Sequence, residues 1–382
     1  MRTQGTDWGG LFIRIAPRAA SGEIRLDILP RDLSHLRLLE GVSEGEALSR
    51  LRRLFSLCGL AQERIAIKAL DAAHGEVEHN GCFDEEVCRE SLIESLRSLL
   101  LPLTGDPLLP MSSTASWKRL GCLGKKHNSD FLPDFRFFLE EDVLGEASAI
   151  FLKRQTLREW RDWLRNSQEK SPVAKRADAF NPEGECLIPR ISGLTLSDFR
   201  SADVIAKALD DSTFLSAPHM KGDGRETGSL SRMGDHPLVD GLWNAGFSRH
   251  ARLAARLLEL ARFSDQGEAL PFEEDDLGVL HSCRLGEGVG MAWGQTSRGL
   301  LIHRWDVRHG EVRDVRILAP TEWIFSPEGG PFSLWLAALA QRQKDKSSLR
   351  SLIMETLWLF DPCAPVGILE ETSSAGGEGR DA

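Results

Sequence analysis

The stretch LWLFDPCAPVGIL, residues 357–369, ends an apolar run with an Asp-Pro-Cys step and then continues through Ala364, Pro365 and Val366. A single thiol does not make a metal site, because soft metal ions in proteins take several ligands. If Cys363 has a chemical role, its partner must therefore come from a distant part of the chain.

The composition is typical of a globular protein. The chain has 382 residues, of which 41% are hydrophobic and 27% are charged, so it can bury a sizeable core. Its net charge of −10 argues against a nucleic-acid-binding protein, because phosphate contacts require a field of Lys and Arg side chains. We therefore expect a protein or a small ligand as partner, with no nucleic acid and no membrane.

The cysteines and the N-terminus indicate the compartment. The seven cysteines are odd in number and scattered, without the dense spacing of a disulfide framework, so reduced thiols are expected. The N-terminal sequence has no basic segment followed by an apolar one, and no run of about 18 apolar residues occurs in the chain. These features predict a cytoplasmic, soluble protein.

Apolar periodicity predicts mostly helices, with small sheets. The predicted hairpins cover residues 10–29 and 299–318. The predicted helices cover residues 43–73 with an interruption near Cys58, and 84–101, 157–164, 250–263 and 331–359. Residues 166–185 and 217–241 are predicted to be irregular, and the acidic tail 370–382 is predicted to be disordered. The expected fold class is α+β, predominantly α, in a single domain over residues 1–369.

Two short motifs match known ligand-binding patterns only in part. GCLGKK, residues 121–126, resembles a phosphate loop, but Arg119 stands where the first glycine is needed. His79, Cys82 and Cys88 could supply zinc ligands, yet no second pair completes a tetrahedral set at a familiar spacing. We expect ordinary surface and core residues at both places.

Five segments resemble, in the same order, the conserved segments of nickel–iron hydrogenase large subunits. RRLFSLCGLAQ at 52–62 and LFDPCAPVGIL at 359–369 are similar to the family's motifs Arg-Ile-Cys-Gly-X-Cys-X-X-X-His and Asp-Pro-Cys-X-X-Cys-X-X-His. GRETGSLSR at 224–232, QTSRGLLIH at 295–303 and APTEWIFSP at 319–327 resemble the segments between them. The resemblance implies a large-subunit-like fold in which the two cysteine segments meet near the centre.

The departures from the family pattern are as informative as the matches. In the family each cysteine motif supplies two thiolates, whereas Phe55 and Val366 replace one cysteine of each pair here, so only Cys58 and Cys363 remain. Apolar side chains have no lone pair to donate to nickel, so neither nickel binding nor hydrogen turnover is expected. Three further family residues are replaced, by Gln62, Gln295 and Leu369. The histidine replaced by Leu369 marks the cleavage point for a maturation protease, so we expect the tail to stay attached.

This degenerate pattern is similar to that of the HupK/HoxV-type hydrogenase accessory proteins. The resemblance implies a non-catalytic scaffold that transiently holds iron carrying cyanide and carbon monoxide, Fe(CN)2(CO), before transfer to the large-subunit precursor. Its implied partners are that precursor and other maturation proteins. The alternative is a metal-free interaction protein or chaperone of hydrogenase assembly.

The resemblance also implies the site residues. Cys58 and Cys363 are the expected iron ligands, and Arg298, Thr321 and Asp361 are the expected cargo-binding residues. A guanidinium and a hydroxyl can donate hydrogen bonds to cyanide, which is anionic and costly to desolvate. We expect the two sulfurs to lie within about 8 Å of each other, with Arg298 facing the same cavity. Cys58 matches a bridging position of the family and Cys363 a terminal one, so a shared iron requires movement of the C-terminal loop or a ligand from a partner.

Overall fold

A computed structural model gives the fold of most of the chain. It describes residues 9–17, 24–76, 81–101, 114–124, 128–195, 198, 209–220, 222–265, 275–342 and 345–371. The strands are β1 Leu11–Pro17, β2 Ile24–Leu29, β3 Cys82–Phe83, β4 Val279–Gly286, β5 Val289–Thr296, β6 Gly299–Arg308, β7 Glu311–Leu318 and β8 Val366–Glu370. The helices are α1 Glu44–Leu54, α2 Gly59–His74, α3 Glu85–Leu100, α4 Thr114–Leu123, α5 Asn128–Phe138, α6 Ser148–Phe151, α7 Leu157–Asn166, α8 Pro172–Asp178, α9 Ser212–Ser216, α10 Ser229–Met233, α11 Pro237–Asn244, α12 Ser248–Asp265, α13 Pro320–Ile324, α14 Pro331–Arg342 and α15 Lys346–Phe360. The predominantly helical α+β class predicted from the sequence is confirmed.

The first sheet joins the two ends of the described chain. Its order is β2-β1-β8, with β1 antiparallel to β2 and parallel to β8. Leu11, Ile13 and Ile15 are buried on one face of β1, as the alternation of apolar residues predicts. The sheet therefore fixes the chain immediately after Cys363 against the N-terminal strand.

The second sheet has the order β3-β4-β5-β6-β7 and is antiparallel throughout. Its last hairpin turns at His309 and Gly310, both at positive φ, which confirms the hairpin predicted over residues 299–318. Helix α2 packs on this sheet against β5 and β6. Gly290 permits the close approach, because a Cβ there would lie 2.0 Å from the carbonyl oxygen of Ala69.

Helix α12 runs through the interior and is buried along nearly its whole length. Its arginines are neutralised by carboxylates from other segments, so they tie the helix to its surroundings. Arg249 pairs with Glu185 and Glu355, and Arg252 pairs with Glu226. A buried charge is tolerated only when it is paired in this way.

Several element boundaries differ from the sequence prediction. The segments predicted to be irregular, 166–185 and 217–241, contain helix α8 and helices α10 and α11, so that prediction is wrong at those residues. Helix α8 forms because Ser171 caps it, Pro172 starts it, and Val173, Ala174 and Ala177 are buried. The helix predicted over 331–359 is α14 followed by α15, and residues 343–344 between them lie outside the described part of the chain.

The predicted tail is only partly covered by the structure. Glu370 closes β8 and the N–H of Glu371 donates to the carbonyl oxygen of Ile15, while residues 372–382 lie outside the described part. In the part of the chain that is described, no helix combines the length and the apolar character needed to cross a membrane.

Candidate functional site: a two-thiol centre

Cys58 precedes the first residue of helix α2. The predicted interruption of the long N-terminal helix occurs at this point, where α1 ends at Leu54 and α2 begins at Gly59. The carboxylate of Glu90 on helix α3 accepts hydrogen bonds from the backbone N–H groups of Leu60 and Ala61, both at 2.9 Å. These bonds satisfy two of the free N–H groups at the start of α2 and hold it against α3.

Cys363 lies in the link between helix α15 and strand β8. Asp361 ends the helix in the left-handed conformation, with φ of 46°, and Pro362 prevents the helix from continuing. The backbone N–H of Cys363 donates to the hydroxyl oxygen of Thr321 on helix α13 at 3.0 Å. The thiol position is therefore fixed by α13 as well as by its own segment.

The fold brings the two thiols into hydrogen-bonding contact. The hydrogen bond from Cys58 and the nearby positive charge of Arg298 lower the pKa of Cys363 to about 7, although burial opposes this. The contact with Cys363, together with burial, raises the pKa of Cys58 well above its ordinary value. The pair thus favours a state with one thiolate and one thiol that share a proton, and we assign the thiolate to Cys363.

Arg298 connects the thiols to the end of helix α15. Its Nε donates to the carbonyl oxygen of Asp361 at 3.0 Å and its Nη2 donates to the Oδ1 atom of the same residue at 3.2 Å. Burial by itself lowers the pKa of Arg298, but Asp361, Cys363 and Glu94 outweigh this effect and raise the pKa. The guanidinium is therefore a permanent cation near the two sulfurs, where the family resemblance implied it would lie.

One nitrogen of this guanidinium forms a long ion pair but no hydrogen bond within the described part of the chain. Arg298 Nη1 is buried and has no hydrogen-bond partner among the described residues, and the same is true of Glu94 Oε2, which lies 3.9 Å away. Buried polar atoms are normally hydrogen-bonded, so this donor near the two thiols retains the capacity to bind an additional acceptor.

Asp361 forms ion pairs with two arginines. In addition to Arg298, Arg256 of helix α12 places its Nη2 3.3 Å from Asp361 Oδ2 and donates through Nη1 to the carbonyl oxygen of Trp358. Asp361 therefore positions the thiol-bearing link, because it joins the link to the β5–β6 turn and to the central helix. A non-glycine residue at this φ costs about 1 kcal/mol or slightly more, which these ion pairs offset.

The two lost cysteine positions have structural roles. Phe55 ends helix α1 and packs against the cluster around α1 and α2. Val366 starts strand β8 and pairs with Leu11, and Leu369 lies in the same strand opposite Arg14. The missing thiolates are thus replaced by side chains that serve packing and strand pairing.

The remaining predicted residues are also located. Thr321 lies at the site, but its hydroxyl contacts Cys363 itself. Gln295 accepts a hydrogen bond from Arg232, whose guanidinium also pairs with buried Glu259. Gln295 therefore belongs to a neighbouring ion-pair cluster rather than to the thiol centre.

Sequence reasoning did not find the carboxylates of Glu90 and Glu94. Their spacing of four residues puts them on one face of helix α3, which was a visible signal. On an amphipathic helix, however, acidic residues at that spacing are ordinarily a solvated face, and only the packing of α3 against the start of α2 reverses this interpretation.

The fold and the site together define a class: a protein built like a hydrogenase large subunit, with two thiols where the enzyme motif has four. Comparisons with known proteins agree. A crystal structure of an NAD+-reducing [NiFe]-hydrogenase matches with a TM-score of 0.53 at 15% sequence identity, covering 90% of this chain and 93% of that chain. The predicted large-subunit-like fold is confirmed.

The sequence relatives are more specific. The chain is 29% identical to the hydrogenase expression/formation protein HoxV of Cupriavidus necator, covering 86% of this chain and 88% of HoxV. It is 29% identical to HupV of Azotobacter chroococcum, with 92% and 96% covered, and 28% identical to HupK of Rhizobium leguminosarum, with 87% and 88% covered. No protein-family model matches the chain. The resemblance to the HupK/HoxV type of hydrogenase expression/formation protein is confirmed.

Proposed function

We propose that this chain is a non-catalytic scaffold of nickel–iron hydrogenase maturation, which transiently holds the Fe(CN)2(CO) unit before its transfer to the large-subunit precursor. The names of the relatives support the maturation role. The observation that carries the finer proposal is the contact between the thiols of Cys58 and Cys363, near Arg298, whose buried Nη1 has no hydrogen-bond partner among the described residues.

The donor set fits this cargo. Thiolates suit a soft iron centre, and the cargo supplies its own cyanide and carbon monoxide ligands, so few ligands are required from the protein. Within the described residues, no group of three or more His, Cys, Asp or Glu side chains could hold a metal ion. A site with only two protein donors suits cargo that must be released.

Arg298 Nη1 is suited to donate a hydrogen bond to cyanide. An anionic nitrogen loses its hydration on burial and needs a strong donor in return. Arg298 Nη1 is buried and permanently charged, and it has no hydrogen-bond partner among the described residues, only a long ion pair with Glu94 at 3.9 Å. The other nitrogens of Arg298 are held by Asp361. In this proposal Arg298 binds cyanide, Asp361 orients Arg298, and Thr321 holds Cys363.

The test is anaerobic purification from a host that makes the other maturation proteins, followed by iron determination and infrared spectroscopy. The proposal predicts iron bound in near-stoichiometric amount, with stretching bands of carbon monoxide and cyanide. Cys186→Ser is the control, because Cys186 is also a buried thiol but contacts Arg342 in another part of the fold. It should retain both iron and bands.

The absence of iron and of these bands from well-folded wild-type protein would reject the scaffold. It would favour the alternative, a metal-free interaction protein or chaperone of hydrogenase assembly.

A further inference from the structure

A buried row of polar side chains leads from the five-stranded sheet to Cys58. Trp305 Nε1 donates to His303 Nδ1 at 3.3 Å, and His303 Nε2 lies 2.7 Å from Gln62 Oε1. Gln62 Nε2 in turn donates to Cys58 Sγ at 3.7 Å, within the range of hydrogen bonds to sulfur. The exposed fractions of Trp305, His303 and Gln62 are 0%, 0% and 1%, so water does not compete for these contacts.

The direction of this row is fixed by chemistry. An indole N–H can only donate, so His303 Nδ1 must accept. Burial lowers the pKa of His303 to about 3, so the ring is neutral and carries its single proton on Nε2. That proton must go to Gln62 Oε1, which leaves the amide N–H group facing Cys58. The reversed amide would place an N–H group against the N–H of the imidazole.

Two periodicities assemble the row. His303 and Trp305 are two residues apart on strand β6, so both side chains point to the same face, where α2 packs. Gln62 and Cys58 are four residues apart at the start of α2, so they are neighbours on the helix surface. Gln62 stands where the large-subunit motif has a histidine, and unlike a histidine its amide keeps the same donor at every pH.

We propose that Trp305, His303 and Gln62 form a one-way hydrogen-bond relay that holds an amide N–H against the sulfur of Cys58, so that Gln62 is a positioning residue of the two-thiol site. The row fixes the sulfur from the side of the sheet, while Cys363 contacts it from the C-terminal link. The relay does not depend on a metal. Its consequence for the cargo rests on the proposed function.

The consequence of the Gln62 hydrogen bond is weaker binding of iron by the Cys58 sulfur. An N–H group that donates to a metal-bound thiolate withdraws electron density from the sulfur, and hydrogen bonds to sulfur are a known means of tuning such centres. Gln62 thus helps to hold the Cys58 sulfur in place while it keeps the iron–sulfur bond labile, as transfer requires.

The first test uses metal-free protein and the S–H stretching band in the infrared. Subtraction of the spectrum of Cys58→Ser isolates the Cys58 thiol from the other cysteines. The relay predicts a hydrogen-bonded band in wild type that shifts in Gln62→Leu and is restored in Gln62→His, which again offers an N–H donor. Trp335→Phe is the matched control, because it removes a buried indole N–H that donates to Gly184, and it should leave the band unchanged.

The second test needs only wild type and Trp305→Phe, so it survives if the Gln62 variants do not fold. In protein with nitrogen-labelled histidine, His303 should be the neutral Nε2–H tautomer between about pH 5 and 8, the range in which an ordinary histidine titrates. Trp305→Phe should lose this single preference. An Nδ1–H tautomer in wild type, or a Cys58 band that does not move in Gln62→Leu, would overturn the relay.

The two proposals can fail separately. A correct tautomer and a shifting Cys58 band establish the relay, whatever the iron content. If the relay is confirmed in a protein that never carries iron, the proposed function is rejected and the relay is not. In loaded protein, Gln62→Leu should move the carbon monoxide band to lower frequency, because the thiolate then donates more electron density, and an unmoved band would contradict the tuning role.

Discussion

Cys58 lies at the start of a long buried helix, whereas Cys363 lies in an irregular link between a helix and an edge strand. The Cys58 side is held by Glu90, by Gln62 and by the sheet beneath α2. The Cys363 side is held by a backbone hydrogen bond to Thr321, by the two arginines that bind Asp361, and by strand β8. Residues 361–366 are all at least partly exposed, whereas Gly59, Ala61 and Gln62 are buried. Partly exposed links move more than buried helix ends.

The two sulfurs therefore differ in how freely they can move. Under the proposed function, the helix would supply a fixed sulfur, and the link would supply one that adjusts when the iron unit binds. By the motif resemblance, Cys58 matches a bridging position and Cys363 a terminal one, so a shared iron requires movement of the C-terminal loop or a ligand from a partner. The link around Cys363 is the more exposed of the two segments.

The largest expected effect comes from the thiols themselves. Cys58→Ser and Cys363→Ser should each abolish bound iron, because a neutral hydroxyl does not replace a soft thiolate. The double variant should be little worse than either single one, since both residues act on one centre. Iron content of anaerobically purified protein measures this, and additive partial losses would indicate two independent sites.

The next largest effect is expected for Arg298, the cation near Cys58 and Cys363. Arg298→Lys keeps the charge but has only one nitrogen. It cannot bind Asp361 through two nitrogens and also donate a hydrogen bond to the iron unit. We expect about tenfold weaker retention of iron, together with shifted cyanide bands, the usual scale for residues that support a metal site. Arg304→Lys on strand β6 is the control, because Arg304 pairs with Asp314 instead. Unchanged cyanide bands in Arg298→Lys would remove Arg298 from the site.

A smaller effect is expected in the pH dependence of stability. Burial raises the pKa of Glu94 above its ordinary value of 4.5. A carboxyl group with a raised pKa in the folded state stabilises fully below its unfolded pKa and loses this contribution as the pH rises through the folded value. Glu94→Gln should therefore flatten the fall of the unfolding free energy above about pH 4.5.

Denaturant unfolding at several pH values measures this effect. Glu86→Gln on the same helix is the control, because Glu86 is exposed. If Glu94→Gln and Glu86→Gln change the pH profile equally, the burial of Glu94 has no energetic weight.

The smallest effect is an expected absence of processing. Leu369 replaces the histidine that marks cleavage in the family, and it lies inside strand β8, whose next residue Glu370 pairs with Ile15. Cleavage there would cut a paired strand, so we expect the tail to remain attached. Intact-mass measurement on protein from the native host tests this, and a species that ends near residue 369 would contradict it.

The sequence predicted the helical class, the hairpins and the five matching segments, because those depend on local periodicity and on short motifs. The family resemblance, rather than any local pattern, implied that Cys58, Cys363 and Arg298 meet, and the structure brings them together. The sequence did not predict the carboxylates on helix α3 or the row from Trp305 to Cys58. Those contacts join α2 to α3 and to β6, and side-chain partners between segments distant in sequence leave no local pattern.

The role of residue 62 illustrates the same limit. From the sequence, Gln62 is the loss of a family histidine. In the structure its amide is the last donor in a buried row, which requires knowledge of where His303 and Trp305 lie.

The central claim is that Cys58 and Cys363 act together as the holding site for iron. It is tested most directly by expressing Cys58→Ser, Cys363→Ser double-variant protein in a host that lacks the wild-type chain and then measuring hydrogenase activity. Circular dichroism and thermal unfolding of the purified variant establish that it folds. The account predicts a folded protein with strongly reduced hydrogenase maturation. A folded double variant that supports full maturation would contradict it.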